Sequence, residues 1–213
     1  MDKNYWRKFY NQHGHDRDII QQSSFASFCQ NDFFNNKQLN IIELGSGNGR
    51  DAMFFLRYNH NIIALDQSTD ILEEKKNKLA KNDKKKITIK NVDFVTENYE
   101  KYDNVDVFYS RFTIHSINKE EEIVLVSKIY NNLKDGGLFC VEVRTTKDAL
   151  FGTGEQLSDS EYYTDHYRRF IDSNIFLRKM MDLNFKLRYF TEKDNLSIYK
   201  NDNPVLMRIV LEK

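Results

Sequence analysis

The sequence predicts one α/β domain with helices on both faces of a mostly parallel, seven-stranded sheet, one late strand running antiparallel. Three observations carry this. Seven short apolar runs recur along the 213 residues, helical spacing separates most of the early ones, and a glycine-rich turn directly follows the first. Strands that alternate with helices lie parallel, and parallel sheets bury both faces.

The elements follow in order. Residues 39–44 read as a strand that stops at Gly45-Ser46-Gly47-Asn48-Gly49, and a helix is expected over 50–58. Residues 62–65 form the next strand, ending at Asp66. Ser68 or Thr69 can cap a helix reaching to about Lys81, with Glu73 and Glu74 early and lysines late, as the helix dipole favours. Residues 87–92 are a strand ending at Asp93, and 105–110 are a fourth. Ile123, Val126, Ile129, Tyr130 and Leu133 have the spacing of a helix over 119–133. Asp135-Gly136-Gly137 marks a turn before the strand 138–143. Residues 145–160 read as a long connection over a site. A helix is expected over 167–183, with Phe170, Ile171, Ile175, Leu177, Met180 and Met181 facing the core. Residues 185–190 and 205–211 are two late strands joined by a polar loop, so one of them runs antiparallel.

Composition narrows the function classes. Thirty-two basic and thirty-two acidic residues cancel, which argues against nucleic acid held by phosphate neutralisation. No apolar run approaches membrane-spanning length and the first residues lack a leader pattern, so a cytoplasmic protein is expected. Cys29 and Cys140 stand outside any metal or redox spacing and read as buried free thiols. No other cluster has ligand spacing, so no metal is expected.

The glycine turn is the main chemical signal. Ligands of open α/β sheets bind at the carboxyl ends of the strands, and glycine lets the backbone turn sharply and approach them. The spacing is neither that of the longer dinucleotide fingerprint nor that of a phosphate-binding loop with its Lys-Ser/Thr pair. Asp66, about twenty residues on, stands where an acid can accept from ribose hydroxyls; the competing role is a helix cap. Asp93 can accept from an adenine amino group with Phe94 against the ring, or be a surface acid.

With these residues in place, the chain resembles the class I S-adenosylmethionine (SAM)-dependent methyltransferases, a Rossmann-like three-layer sandwich. The likeness rests on Glu43-Leu44-Gly45-Ser46-Gly47-Asn48-Gly49-Arg50-Asp51, Ala64-Leu65-Asp66, Val92-Asp93-Phe94, the run from Val105 to Arg111, and Leu133-Lys134-Asp135-Gly136-Gly137-Leu138. It implies SAM as cofactor, leaving as S-adenosylhomocysteine (SAH). Its expected contacts are Glu43, Gly45, Ser46, Gly47, Arg50, Asp66, Gln67, Asp93, Phe94 and Ser110. Glu43 stands where an aspartate is commoner. A narrower likeness, to bacterial methyltransferases of surface-polysaccharide (capsule or lipopolysaccharide) synthesis, rests on Ser110-Arg111-Phe112-Thr113-Ile114-His115-Ser116, Asp165-His166-Tyr167-Arg168-Arg169-Phe170 and Ser24-Phe25-Ala26.

The acceptor side follows from the fourth strand, whose end lies beside the reactive methyl in this fold. His115 is the candidate base, since histidine takes protons near neutrality, with Arg111 beside it; a helix-entry role for His115 is the equal alternative. Tyr10, Arg144, His166, Tyr167, Arg168 and Arg169 are the expected substrate contacts, because arginine forks suit carboxylate or phosphate. Residues 1–35 are expected as a helical N-terminal cap or lid on a single domain spanning 1–213. Tyr5, Trp6, Phe9 and Tyr10 would either pack on the domain or close over SAM, with 11–22 as a hinge. The expected activity is O-methylation of a small or saccharide-linked acceptor bearing phosphate or carboxylate. N-methylation of a small amine, a non-catalytic SAM-binding partner and RNA methylation are the competing classes.

Overall fold

The computed structural model describes residues 3–13, 20–34 and 37–213. Residues 14–19, the middle of the expected hinge, lie outside the described residues. The helices are α1 (Lys3–His13), α2 (Ser24–Asp32), α3 (Arg50–Arg57), α4 (Asp70–Asn77), α5 (Lys81–Lys84), α6 (Lys119–Asn132) and α7 (Ser173–Asp182). The strands are β1 (Asn40–Leu44), β2 (Asn61–Asp66), β3 (Ile87–Asn91), β4 (Val105–Arg111), β5 (Leu133–Arg144), β6 (Glu155–Gln156), β7 (Glu161–Tyr163), β8 (Tyr167–Arg169), β9 (Lys186–Lys193) and β10 (Leu206–Glu212).

Seven strands form one sheet in the order β3-β2-β1-β4-β5-β10-β9. The first five run parallel, and β10 lies antiparallel between β5 and β9. The order reverses between β1 and β4, so the carboxyl ends of these strands open the crevice in which such sheets bind ligands. β6, β7 and β8 make a separate antiparallel sheet.

β1 shows why the central strands carry apolar residues on both faces. Ile41 packs on one face with Phe25, Phe55 and Leu72; Ile42 and Leu44 pack on the other with Phe108, Leu125 and Phe176. Cys29 and Cys140 are free and buried on the first face, where burial and the neighbouring Cys140 thiol push the Cys29 thiol up. A buried carboxylate ties α2 to the sheet. Asp51 accepts from the Ser23 amide (2.7 Å), the Ser23 hydroxyl (2.7 Å) and the Tyr109 hydroxyl (2.9 Å).

Three expectations need correction. The helix over 167–183 is two elements. Tyr167–Arg169 pairs with β7, and α7 starts only after Asp172, whose carboxylate caps the amides of Asn174 and Ile175. Its buried stripe is Phe176 and Met180, while Ile175 and Met181 face solvent. The helix expected to reach Lys81 stops at Asn77, and the Thr69 hydroxyl does not cap it; it accepts from Asn91 Nδ2. The turn at 135–137 is an outward bulge inside β5. Two steps along β4, Val105 to Val107, are matched by five on β5, Leu133 to Leu138. Among the described residues no helix is long and apolar enough to cross a membrane.

Candidate functional site

The glycine turn has the backbone that glycine alone adopts at low cost. Gly45 and Gly47 have φ of 66° and 54°. A side chain on Gly45 would strike Thr113 Cγ2 at 2.3 Å, and one on Gly47 would strike the Tyr10 hydroxyl at 2.3 Å. Asp66 fastens the turn: Oδ2 accepts from the Gly47 amide (2.7 Å) and Oδ1 from the Ser68 amide (2.8 Å). Burial nonetheless pushes the Asp66 carboxyl up.

A cavity of about 340 Å³ opens above this turn, within the size range of small-molecule sites. Gly45, Arg50, Asp66 and Gln67 line one lobe. Glu43, Ser46 and Ser110 stand behind it, each nearly fully buried. Among the described residues, Glu43 Oε2 and Ser46 Oγ are buried without a hydrogen-bond partner. Burial, with Asp51 and Asp66 nearby, pushes the Glu43 carboxyl well up. An acid in that position is offset by a cation, and Arg50 beside it can take an anion. The lobe therefore fits an amino-acid zwitterion next to a ribose.

Asp93 and Phe94 are placed differently from expectation. Asp93 accepts from Gln67 Nε2 (2.7 Å) and the Val95 amide (2.8 Å) and does not line the cavity. Phe94 is a fully buried core residue whose ring packs beneath Gly45, so it supports the turn and presents no open face to a ligand.

The other lobe is lined by Arg111, Phe112, His115, Arg144, His166 and Arg168, among others. His115 lies on the 3₁₀ turn Ile114–Ser116 and is buried, and its Nδ1 has no partner among the described residues. Burial first, then Arg144, His166, Arg168 and Arg169, hold its pKa well below 6.5, so the ring is neutral. Phe112, with φ of 57°, is a bulky residue in the left-handed region, a strain that marks functional positions.

The arginines are paired with carboxylates. Arg111 Nε donates to Glu142 (2.9 Å) and its NH2 to Ser197 Oγ (2.7 Å). Arg144 grips Asp148 (3.1 and 3.0 Å) and also bonds Asp202. Arg168 bonds Thr164 and the exposed Asp165. Two expected substrate contacts do not line the cavity. Arg169 is buried against Glu122 (2.6 Å) and the carbonyls of Ile114 and Ile117, where it steadies the turn that carries His115. The Tyr167 hydroxyl donates to Glu161 (2.7 Å).

α1 closes the cavity with Tyr5, Trp6, Phe9 and Tyr10. Tyr5 stacks on His166 at 4.0 Å and its hydroxyl donates to Asp165 (2.8 Å). Tyr10 lies over Gly47, and burial, then Asp66, pushes its hydroxyl up to about 12. Sequence reasoning missed the wall built by the loop between β9 and β10, with Ser197, Ile198, Tyr199, Asp202 and Pro204. Its Asn, Asp and Pro content marks a loop but says nothing of where it lands.

A family model described as a methyltransferase domain matches residues 35–197, and the chain belongs to that family. No curated protein matches it in sequence. The fold is shared with the Burkholderia thailandensis 1,6-didemethyltoxoflavin N1-methyltransferase, crystallised with 1,6-didemethyltoxoflavin and SAH. There the TM-score is 0.72 at 12% identity, covering 99% of this chain and 88% of that one. The glycopeptide N-methyltransferase MtfA in complex with SAH gives 0.68 at 14%, covering 90% of each chain. An S-adenosylmethionine-dependent methyltransferase from Mesorhizobium loti gives 0.69 at 14%, covering 90% and 98%.

Proposed function

We propose that the chain is a SAM-dependent methyltransferase of a small acceptor, methylating an O–H or N–H group. The observation that carries this is one cavity shared by the glycine turn with Asp66 and by His115, whose Nδ1 is buried without a partner among the described residues. Glu43 and Arg50 would hold the amino-acid end of SAM, and Asp66 the ribose. Bound SAM would supply an electrophilic methyl on its sulfonium. His115 Nδ1 takes the proton that the acceptor loses, and Arg169 holds the turn that aims it. α1 is the lid: Tyr10 fills the space over Gly47, so α1 shifts when the cofactor enters.

An anionic acceptor, bearing phosphate or carboxylate, is the second reading. It is favoured by the positive field that Arg144, His166, Arg168 and Arg169 impose on His115, which a bound anion would offset. The carboxylates paired with those arginines weaken it. A saccharide-linked acceptor of surface-polysaccharide synthesis is its narrower form. Calorimetry with SAM, SAH, NAD and ATP tests the cofactor: preference for NAD or ATP removes the proposal. SAH release over a panel of hydroxyl, amine and anionic sugar acceptors then separates the acceptor readings.

A further inference from the structure

Resting on the methyltransferase reading, we infer that the loop between β9 and β10 selects the acceptor. In this inference Tyr199 and His115 make a two-point polar contact to a flat, conjugated molecule with an N–H or O–H beside a carbonyl oxygen. Four observations lead there.

Among the residues that line this cavity, His115 Nδ1 and the Tyr199 hydroxyl are buried with no partner among the described residues, whereas His166 Nδ1 lies 3.1 Å from Asp165. Buried polar groups are almost always satisfied, so an orphaned pair lining one cavity marks the place of a ligand's own polar atoms. Their chemistries are complementary to a lactam or an enolised carbonyl. The neutral imidazole nitrogen can accept from an N–H or O–H, and the phenol can donate to the adjacent carbonyl.

The walls are flat. Tyr5, Trp6 and Phe9 enter from α1 and Phe112 from the end of β4, its backbone held in the left-handed region. Aromatic walls around a few placed polar groups suit a planar ring better than a hydrated sugar.

The loop is anchored rather than loose. The Leu196 carbonyl accepts from Arg208 NH2 (2.7 Å) and Ser24 Oγ (2.5 Å), and Ser197 Oγ accepts from Arg111 (2.7 Å). Tyr199 and Asp202 exchange backbone hydrogen bonds of 2.9 Å, and Asp202 is bonded to Arg144. Tyr199 therefore sits on a short hairpin tied down on both sides, which pre-organises it for binding. Finally, Arg111, Arg144 and Arg168 are engaged by carboxylates, which leaves less of their charge for a phosphate.

The test is calorimetry on protein saturated with SAH, using xanthine and uracil as flat probes and glucose 6-phosphate and glucuronate as sugar probes. The flat probes are expected to bind at least about tenfold more tightly than the sugars, and Tyr199→Phe to weaken them roughly 5–10-fold, the loss of one hydrogen bond. SAH affinity should stay the same in Tyr199→Phe, which also shows that the variant is folded. Sugars binding as well as the flat probes, or flat probes binding Tyr199→Phe as they bind the wild type, would overturn the inference. If SAH itself does not bind, the methyltransferase reading falls first, and the two failures are told apart.

Discussion

Acidification should expose His115 in both stability and catalysis. The ring is buried with cationic groups around it, so its pKa in the folded chain lies well below the 6.5 it has when unfolded. The unfolded chain therefore binds the proton first as pH falls. Stability is whole above pH 6.5 and drains away below it, until the folded pKa is reached. One histidine that stays neutral in the fold costs about 1.4 kcal/mol at one pH unit below its unfolded pKa. His60, which burial also depresses, adds a loss of its own, so the wild type alone is not diagnostic. Urea unfolding of wild type and His115→Gln at pH 7.5 and 5.5 isolates the group, because His60 is common to both. The wild type should lose about 1.4 kcal/mol more than the variant over that interval. With a working acceptor, His115→Gln should also lower kcat by about 10²–10⁴-fold, the usual contribution of a positioned base. The acidic limb of the wild-type profile should lie below pH 6.5. Equal pH dependence of stability in the two proteins, or a limb at or above 6.5 for a neutral acceptor, would refute the buried neutral base.

Asp66→Ala should weaken SAM binding by about 1–3 kcal/mol in calorimetry, the range for a charged hydrogen bond; unchanged affinity would return Asp66 to a purely structural role in the Gly47 turn. Arg169→Ala should destabilise the fold by about 1.5–3 kcal/mol, because it removes one of the two cations on buried Glu122 and leaves only Lys179 there, whereas Arg168→Ala, paired with an exposed Asp165, should cost about 1 kcal/mol or less. Equal thermal shifts in the two would contradict this division. Trp6 is the only tryptophan, so SAH should shift the intrinsic emission as Tyr10 leaves Gly47; constant emission at saturation would show that α1 stays in place.

The sequence by itself determined the sheet, the glycine turn and the acid that follows it. These are local matters: apolar runs on both faces of β1, positive φ at Gly45 and Gly47, and an aspartate at the end of β2 are written within a few residues of where they act. Tertiary structure decided the rest. Arg111 and Arg169 looked like part of a charged rim because their partners are remote: Glu142 is 31 positions from Arg111 and Glu122 is 47 from Arg169. Phe94 follows the third strand like an adenine neighbour, yet its ring lies under the Gly45 turn. Residues 167–183 have enough helical spacing to suggest one helix, but pairing of β8 with β7 and the Asp172 cap divide them. The acceptor lobe is closed by α1 and by the loop carrying Tyr199, segments almost two hundred residues apart. Only packing brings them together, because hydrophobic burial and ion pairing are blind to sequence distance while motif reading is confined to it.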